Sequence, residues 1–398
     1  MLCFSWPARL GQYALVALAV GGLAGCLSPV TLNHAVMAYD EVTTDLLSRQ
    51  LLLNIARARH HHPIHFTGVS NIAATFNFQV NAGVTPALTG NNGGLLMPLF
   101  GGSAAENPTI SIVPIEGEEF TRRLLTPIQE NKLTMPLRQG TDIDLVLRLI
   151  TSEFRMYRQG EVVAFYNRPS DRGYAPFRRL VLHLSSIQDR NALYVEPLQF
   201  RQSFEYPADQ VTPEALTALQ KEFAVDYDAS KQLYRLSKPV TGRIVITNYD
   251  PNLLSNDERI RLNEAAETSA SDELTVDIRA DYPGGEYPIQ GKFRLRSFHN
   301  VLNFLGRGIA DEQEYDVPKD TRTPEVAENP VSAMGVLESE SAPSGVDLAV
   351  KYQGRYYAVR PDLGYPWNRE AFRLLSQLFQ MTVTELPQFG VPSITIAK

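Results

Sequence analysis

Apolar and polar positions change period along this chain, and each change marks an element. From about Asn33 to Arg59, Val36, Tyr39, Val42, Leu46, Leu47, Leu51, Ile55 and Ala56 recur three or four apart. That is the spacing of one helix face. Asp45, Arg49, Arg57 and Arg59 fall mostly off the stripe. The pattern predicts one long N-terminal helix, stopped at Pro63. Heptads are not sustained, so the stripe is expected to pack on its own domain and not as a coiled coil. From Asn71 to Val80 the period becomes two. Ile72, Ala74, Phe76, Phe78 and Val80 share one face, and Asn71, Thr75, Asn77 and Gln79 the other, which predicts a strand. The Gly- and Asn-rich stretch 81–108 reads as a long loop, and Thr109–Val113 as the returning strand of a hairpin.

Farther on, helices are predicted at Glu116–Leu125, Asp142–Phe154, Pro213–Phe223, Phe298–Ile309 and Trp367–Gln380, with Ser297 as an N-cap. Strands are predicted at Glu161–Tyr166, Leu180–Leu184, Leu193–Val195, Leu233–Leu236, Arg243–Asn248, Leu274–Ile278, Lys292–Leu295 and Val391–Ile396. Val346–Val359 reads as a hairpin turning at Gln353-Gly354. Acidic residues, Pro and Ser crowd 310–345, which reads as a mobile acidic loop. The mixture predicts an α+β fold: short helices on small, mainly antiparallel sheets, in two or three subdomains. The expected division is 33–170, 171–290 and 291–398, with no regular repeat period.

The first residues follow a different logic. Arg9 precedes an apolar run, Leu10–Leu23, that is shorter than the about 20 residues of a membrane-spanning helix. Small residues Ala24 and Gly25 then lead to Cys26, the arrangement of a cleavable secretory signal over 1–25. Cys3 leaves with that signal, so the mature chain is expected to hold one cysteine and no internal disulfide. Residues 26–32 read as a tether. The net charge of −7 is spread out, with no basic face, which argues against nucleic acid as a partner. No later apolar run approaches a membrane span. The chain also lacks the many evenly spaced alternating segments of an outer-membrane barrel and ends in Lys398, not an aromatic residue.

Candidate chemistry is sparse. His60-His61-His62-Pro63-Ile64-His65 concentrates imidazoles, which ligate zinc, copper or nickel. Neighbouring histidines at a helix end point apart, however, and no cysteine or nearby carboxylate completes a set. Their basic character also suits a helix C-terminus. No metal site is therefore assigned, His60, His61, His62 and His65 standing as the only candidates, and no cofactor is expected. Gly68-Val69-Ser70-Asn71-Ile72 lacks the second glycine of a nucleophile elbow. No phosphate loop or His-Glu-x-x-His occurs. Glu118-Glu119 could serve acid–base work on sugars, but two carboxylates in a first turn more simply meet the helix dipole. No catalytic residue is assigned. The apolar run Leu95, Leu96, Met97, Leu99 and Phe100 is the candidate partner-binding segment.

Leu23-Ala24-Gly25-Cys26 resembles the lipobox of bacterial lipoproteins at all four positions. That resemblance implies diacylglyceryl transfer to the Cys26 thiol, cleavage before it and acylation of the new amine. Leu27 stands where an Asp would mark inner-membrane retention, which implies the inner leaflet of the outer membrane, facing the periplasm. Leu51 to Arg59 with Pro63, Glu119 to Pro127, and Ser297 to Leu305 are similar to stretches of an uncharacterised family of proteobacterial lipoproteins with no assigned activity. The expected partners are a membrane, through the N-terminal lipid, and an envelope protein; a small-molecule ligand is unknown. The expected role is non-catalytic scaffolding or binding in an envelope assembly. The competing expectation is an envelope enzyme acting on peptidoglycan or another glycan.

Overall fold

The computed structural model describes residues 36–86, 96–158, 161–267 and 270–382. Cys26, the tether, Leu95 and the strand expected at Val391–Ile396 lie outside the described residues. The fold is α+β and divides into two compact units. Among the described residues, one holds 36–51 together with Phe66–Pro114; the other holds Leu52–His65 and 115–382. The long helix α1, 36–59, contributes to both.

In the first unit, β1 (Phe66–Pro86) and β2 (Leu96–Ile115) form a two-stranded sheet. Helix α1 grips its start. Gln50 Nε2 donates to the Thr67 carbonyl at 3.0 Å, and the Thr67 N–H donates to Gln50 Oε1 at 2.7 Å. The expected long loop 81–108 is mostly strand, running to Pro86 and resuming at Leu96. Glycine and asparagine depress strand propensity, but cross-strand pairing overrides so weak a preference.

The second unit begins with α2 (Glu118–Leu125), α3 (Thr134–Arg138) and α4 (Ile143–Ile150). Asp142 caps α4 by accepting the Asp144 N–H at 2.7 Å. Then follow β3 (Thr151–Arg158), β4 (Glu161–Tyr166), α5 (Tyr174–Asp189), β5 (Tyr194–Pro207), α6 (Pro213–Leu219) and β6 (Ala224–Asp228). After them come β7 (Leu233–Thr247), α7 (Asn256–Glu267), β8 (Glu273–Ile278), β9 (Ile289–Leu295) and α8 (Phe298–Gly308). The chain closes with β10 (Val336–Ser339), β11 (Ala349–Tyr352), β12 (Arg355–Val359) and α9 (Trp367–Thr382).

One sheet runs β4-β3-β9-β8-β7-β5, with β6 also on β7. The β7–β8 pair, joined through α7, is parallel and the others are antiparallel. This sheet takes strands from each of the segments 33–170, 171–290 and 291–398. Three local expectations also change. Leu180–Leu184 lies in α5, a helix buried from Leu180 through Ile187. An apolar run with no exposed face reads the same for a buried strand and a buried helix. The helix from Asp142 stops at Ile150, where Thr151 Oγ1 donates to the Leu147 carbonyl at 2.6 Å and the chain extends into β3. Leu233–Leu236 and Arg243–Asn248 fall largely in one long strand, β7.

Helix α5 meets the sheet through an aromatic cluster. Phe154 and Phe293 sit 4.7 Å apart between ring centroids, and Phe177 meets Phe293 edge-on at 6.0 Å. Phe298 and Phe379, 5.6 Å apart, join α8 to α9.

The stretch 310–345 is a pinned strap, not a free loop. Arg148 and Arg178, on α4 and α5, are buried at 0% and 1% exposure. Arg148 bonds Glu314 Oε1 through Nη2 at 2.7 Å and the carbonyls of Pro330 and Val331 at 2.8 and 2.6 Å. Arg178 pairs with Asp144 and donates to Asn329 Oδ1 at 3.0 Å. Tyr174 donates to Glu314 at 2.9 Å, and the Ala333 N–H does so at 2.6 Å. Trp367 Nε1 donates to the Ser332 carbonyl at 3.0 Å. Composition read this acidic, Pro-rich stretch as unable to build a core of its own. It has no need to, because its carbonyls and Glu314 satisfy arginines that other elements bury.

Candidate functional site

The site grows from the end of α1. Its last turn closes as a Schellman motif: the His62 N–H donates to the Arg57 carbonyl at 2.9 Å and the His61 N–H to the Ala58 carbonyl at 3.2 Å. His61 takes the left-handed residue of that motif, φ 56°, where glycine is preferred. His61→Gly is expected to raise stability by about 0.5–1 kcal/mol, since a left-handed L-residue costs at least that much. Urea unfolding checks it, and a lower midpoint overturns the assignment.

The turn presents His60 and His62 toward the sheet β10-β12-β11. The β11–β12 hairpin turns at Gln353 and Gly354, both at positive φ (50° and 80°), as a two-residue I′ connection requires. That hairpin supplies Tyr352 and Tyr357. His60 Nε2 and the Tyr357 hydroxyl are 2.7 Å apart, and Tyr357 donates to Glu338 Oε1 at 2.9 Å from the register position beside it. The single phenolic proton goes to Glu338, so His60 Nε2 carries a proton and donates to Tyr357. His62 Nδ1 lies 2.6 Å from the Tyr352 hydroxyl, with the rings edge-on at 5.9 Å. Arg59 Nη1 reaches Asp311 at 3.3 Å, and Glu338 has Arg59 and Arg355 nitrogens at 3.9 and 3.7 Å. Burial and the bond to Glu338 push the Tyr357 hydroxyl up to about 12, so it stays protonated at neutral pH.

This imidazole–phenol–carboxylate chain can hold a proton in place and fasten the small sheet to the helix end. It does not unite the four histidines. His61 serves the turn through its backbone. His65 is held by its backbone too: its N–H donates to Asn54 Oδ1 at 3.0 Å, and its carbonyl accepts from Asn54 and Arg57 at 2.8 and 3.0 Å. Among the described residues, no three His, Cys, Asp or Glu gather closely enough to hold a metal ion. Sequence reading named the histidines and the Val346–Val359 hairpin separately, and did not single out Glu338 or Asp311 as site residues. No local signal joins them, because the His60–Tyr357 bond spans 297 residues of chain.

The acidic pair on α2 is engaged otherwise. Glu119 accepts from Arg122 and from Arg123, at 3.0 Å and 2.6 Å through their Nε atoms, and those bonds hold its carboxyl below the usual range. It lines an open cleft of about 310 Å³, whose lining also includes Arg122, Arg123 and Lys132 and the α9 residues Leu378 and Met381. Of the apolar candidates, Leu96, Met97, Leu99 and Phe100 lie in β2.

No family model, curated protein or solved structure matches this chain.

Proposed function

We propose that this chain is a lipid-anchored, non-catalytic binding component of a bacterial envelope assembly. It is held through Cys26 at the inner leaflet of the outer membrane. The observation that carries the reading is Leu23-Ala24-Gly25-Cys26 behind a short apolar run and Arg9. Leu27 and the likeness to uncharacterised lipoproteins support the destination. The internal commitment of the ionisable clusters supports a binding role. His60 and His62 bond tyrosines, Glu119 bonds two arginines, and Glu314 bonds Arg148 and Tyr174. Two or more acyl chains hold a protein firmly, each buried methylene adding about 0.8 kcal/mol. A tethered surface then meets its partners at high effective concentration.

Cys26→Ser is expected to abolish incorporation of labelled palmitate in cells. Unchanged labelling overturns the anchor. In-cell crosslinking of the wild type is expected to capture a discrete envelope protein. Purified chain that turns over cell-wall fragments, with no protein captured, overturns the binding role in favour of an enzyme.

A further inference from the structure

The β1–β2 hairpin differs in chemistry from the rest of the chain. One residue in five is charged overall, yet from Phe66 to Ala105 there is no Asp, Glu, Lys, Arg or His. Basic and histidine residues stand just before this stretch, at Arg57, Arg59 and His65, and Glu106 closes it. Within β1 the alternation runs well past Val80. Even positions from Ile72 to Val84 are Ile, Ala, Phe, Phe, Val, Ala and Val. Odd positions from Asn71 to Thr85 are Asn, Ala, Thr, Asn, Gln, Asn, Gly and Thr. Alternate positions of a strand belong to opposite faces, so over 71–85 the sequence assigns the apolar even positions to one face and the uncharged, mostly polar odd positions to the other.

Length makes the same point. β1 has 21 residues and β2 has 20, whereas a tilted strand crosses a bilayer in about 9–11. A lone two-stranded sheet is at best marginal in water. Soluble proteins guard long edges with charges or prolines inside the strand. β1 carries no charge, and its single proline, Pro86, is its last residue. Within hydrocarbon, strands survive only as closed barrels, which leave no edge unpaired. One hairpin cannot close a barrel, and every other described strand is engaged in the two sheets of the second unit.

We propose that copies of this chain pair their β1–β2 hairpins edge to edge into one closed transmembrane β-barrel. The even-numbered face of β1 meets lipid, and the odd-numbered face lines the lumen. The smallest membrane barrels have about eight strands, which sets a minimum of about four copies. The inference goes beyond the anchored binding role and rests on the hairpin alone, so it survives if Cys26 is not acylated.

The test uses full-length protein, purified from membranes and reconstituted into phosphatidylethanolamine–phosphatidylglycerol vesicles. Single cysteines placed at Phe76, Asn77, Phe78 and Gln79 carry an environment-sensitive fluorophore. Positions 76 and 78 are expected to be quenched by spin-labelled lipid, and 77 and 79 by aqueous iodide. Planar bilayers are expected to show stepwise conductance with weak ion selectivity, as an uncharged lumen requires. Phe78→Arg should cut that conductance by at least about tenfold, because a charge on the lipid face opposes insertion. Asn77→Arg should keep conductance and shift it toward anions; it guards against a variant that merely fails to fold. Equal access of iodide to both parities, or oligomers that pair the hairpins in water with no lipid quenching, overturns the proposal.

Discussion

Arg148→Met is expected to destabilise the second unit by about 3–5 kcal/mol, the usual cost of removing one partner from a buried ion pair. The methionine keeps much of the stem's volume, so the loss isolates the guanidinium. That group is the shared partner of Glu314, Asp144 and the Pro330 and Val331 carbonyls. Without it, Glu314, its side chain 6% exposed, keeps only neutral donors, the Tyr174 hydroxyl and the Ala333 N–H.

The pH dependence gives the assignment a sign. In the wild type, burial is the largest influence and works against the Glu314 charge, but Arg148, the Ala333 N–H and Arg178 together outweigh it and hold the carboxyl below its ordinary value. Its contribution is therefore complete above the unfolded pKa and is lost as pH falls through the lowered folded one. In Arg148→Met the burial effect is unopposed by that charge, and the folded pKa rises above the unfolded value. The folded state then binds the extra proton, so the variant's deficit should shrink as pH is lowered from 8 to 5. Adding Glu314→Gln should recover part of the loss at pH 8. Urea midpoints at the two pH values decide it: a loss under about 1 kcal/mol, or one that grows at pH 5, contradicts a buried ion pair.

Arg296→Met is expected to cost about 3 kcal/mol, by a different route. Arg296 is 7% exposed and donates to the carbonyls of Arg148, Leu149 and Asn167 at 3.1, 3.2 and 2.8 Å. Two of these carbonyls belong to the end of α4, which has no further turn to donate N–H groups to them. Each buried acceptor left unpaired costs about 1–3 kcal/mol. Burial lowers the Arg296 pKa to about 9, still high enough to keep it charged at neutral pH. Its plane lies 3.9 Å over the Phe304 ring, which the methionine retains only in part. Arg296→Lys should recover less than half of the loss, because an ammonium cannot reproduce the planar fork. Full rescue by lysine in denaturant unfolding would show that charge, and not the fork, matters. The two arginine substitutions should not be additive, since Arg296 bonds the backbone of Arg148.

What was legible in the sequence was whatever the local chain decides. The α1 stripe, the alternation of Asn71–Val80, the Ser297 cap on α8 and the turn at Gln353-Gly354 each depend on residues a few positions apart. Errors fell where burial erased the pattern. Leu180–Leu184 has no exposed face to show a helical period, so α5 was read as a strand. The glycines and asparagines of 81–108 hid strand that pairing stabilises. In the candidate site, the histidines were visible as a group and Val346–Val359 as a hairpin, but their meeting was not. The bond from His62 to Tyr352 joins residues 290 apart.

By itself, then, the sequence determined the helix and strand periods, the uncharged character of residues 66–105 and the Leu23–Cys26 box. All are properties of neighbouring residues. Only the tertiary structure decided that 310–345 is a strap, that one sheet gathers strands from three parts of the chain, and that His60 ends on Tyr357. These outcomes turn on desolvation. Arg148 and Arg178 find partners in the core only because Glu314, Asn329 and the strap carbonyls arrive from far along the chain to join Asp144 beside them.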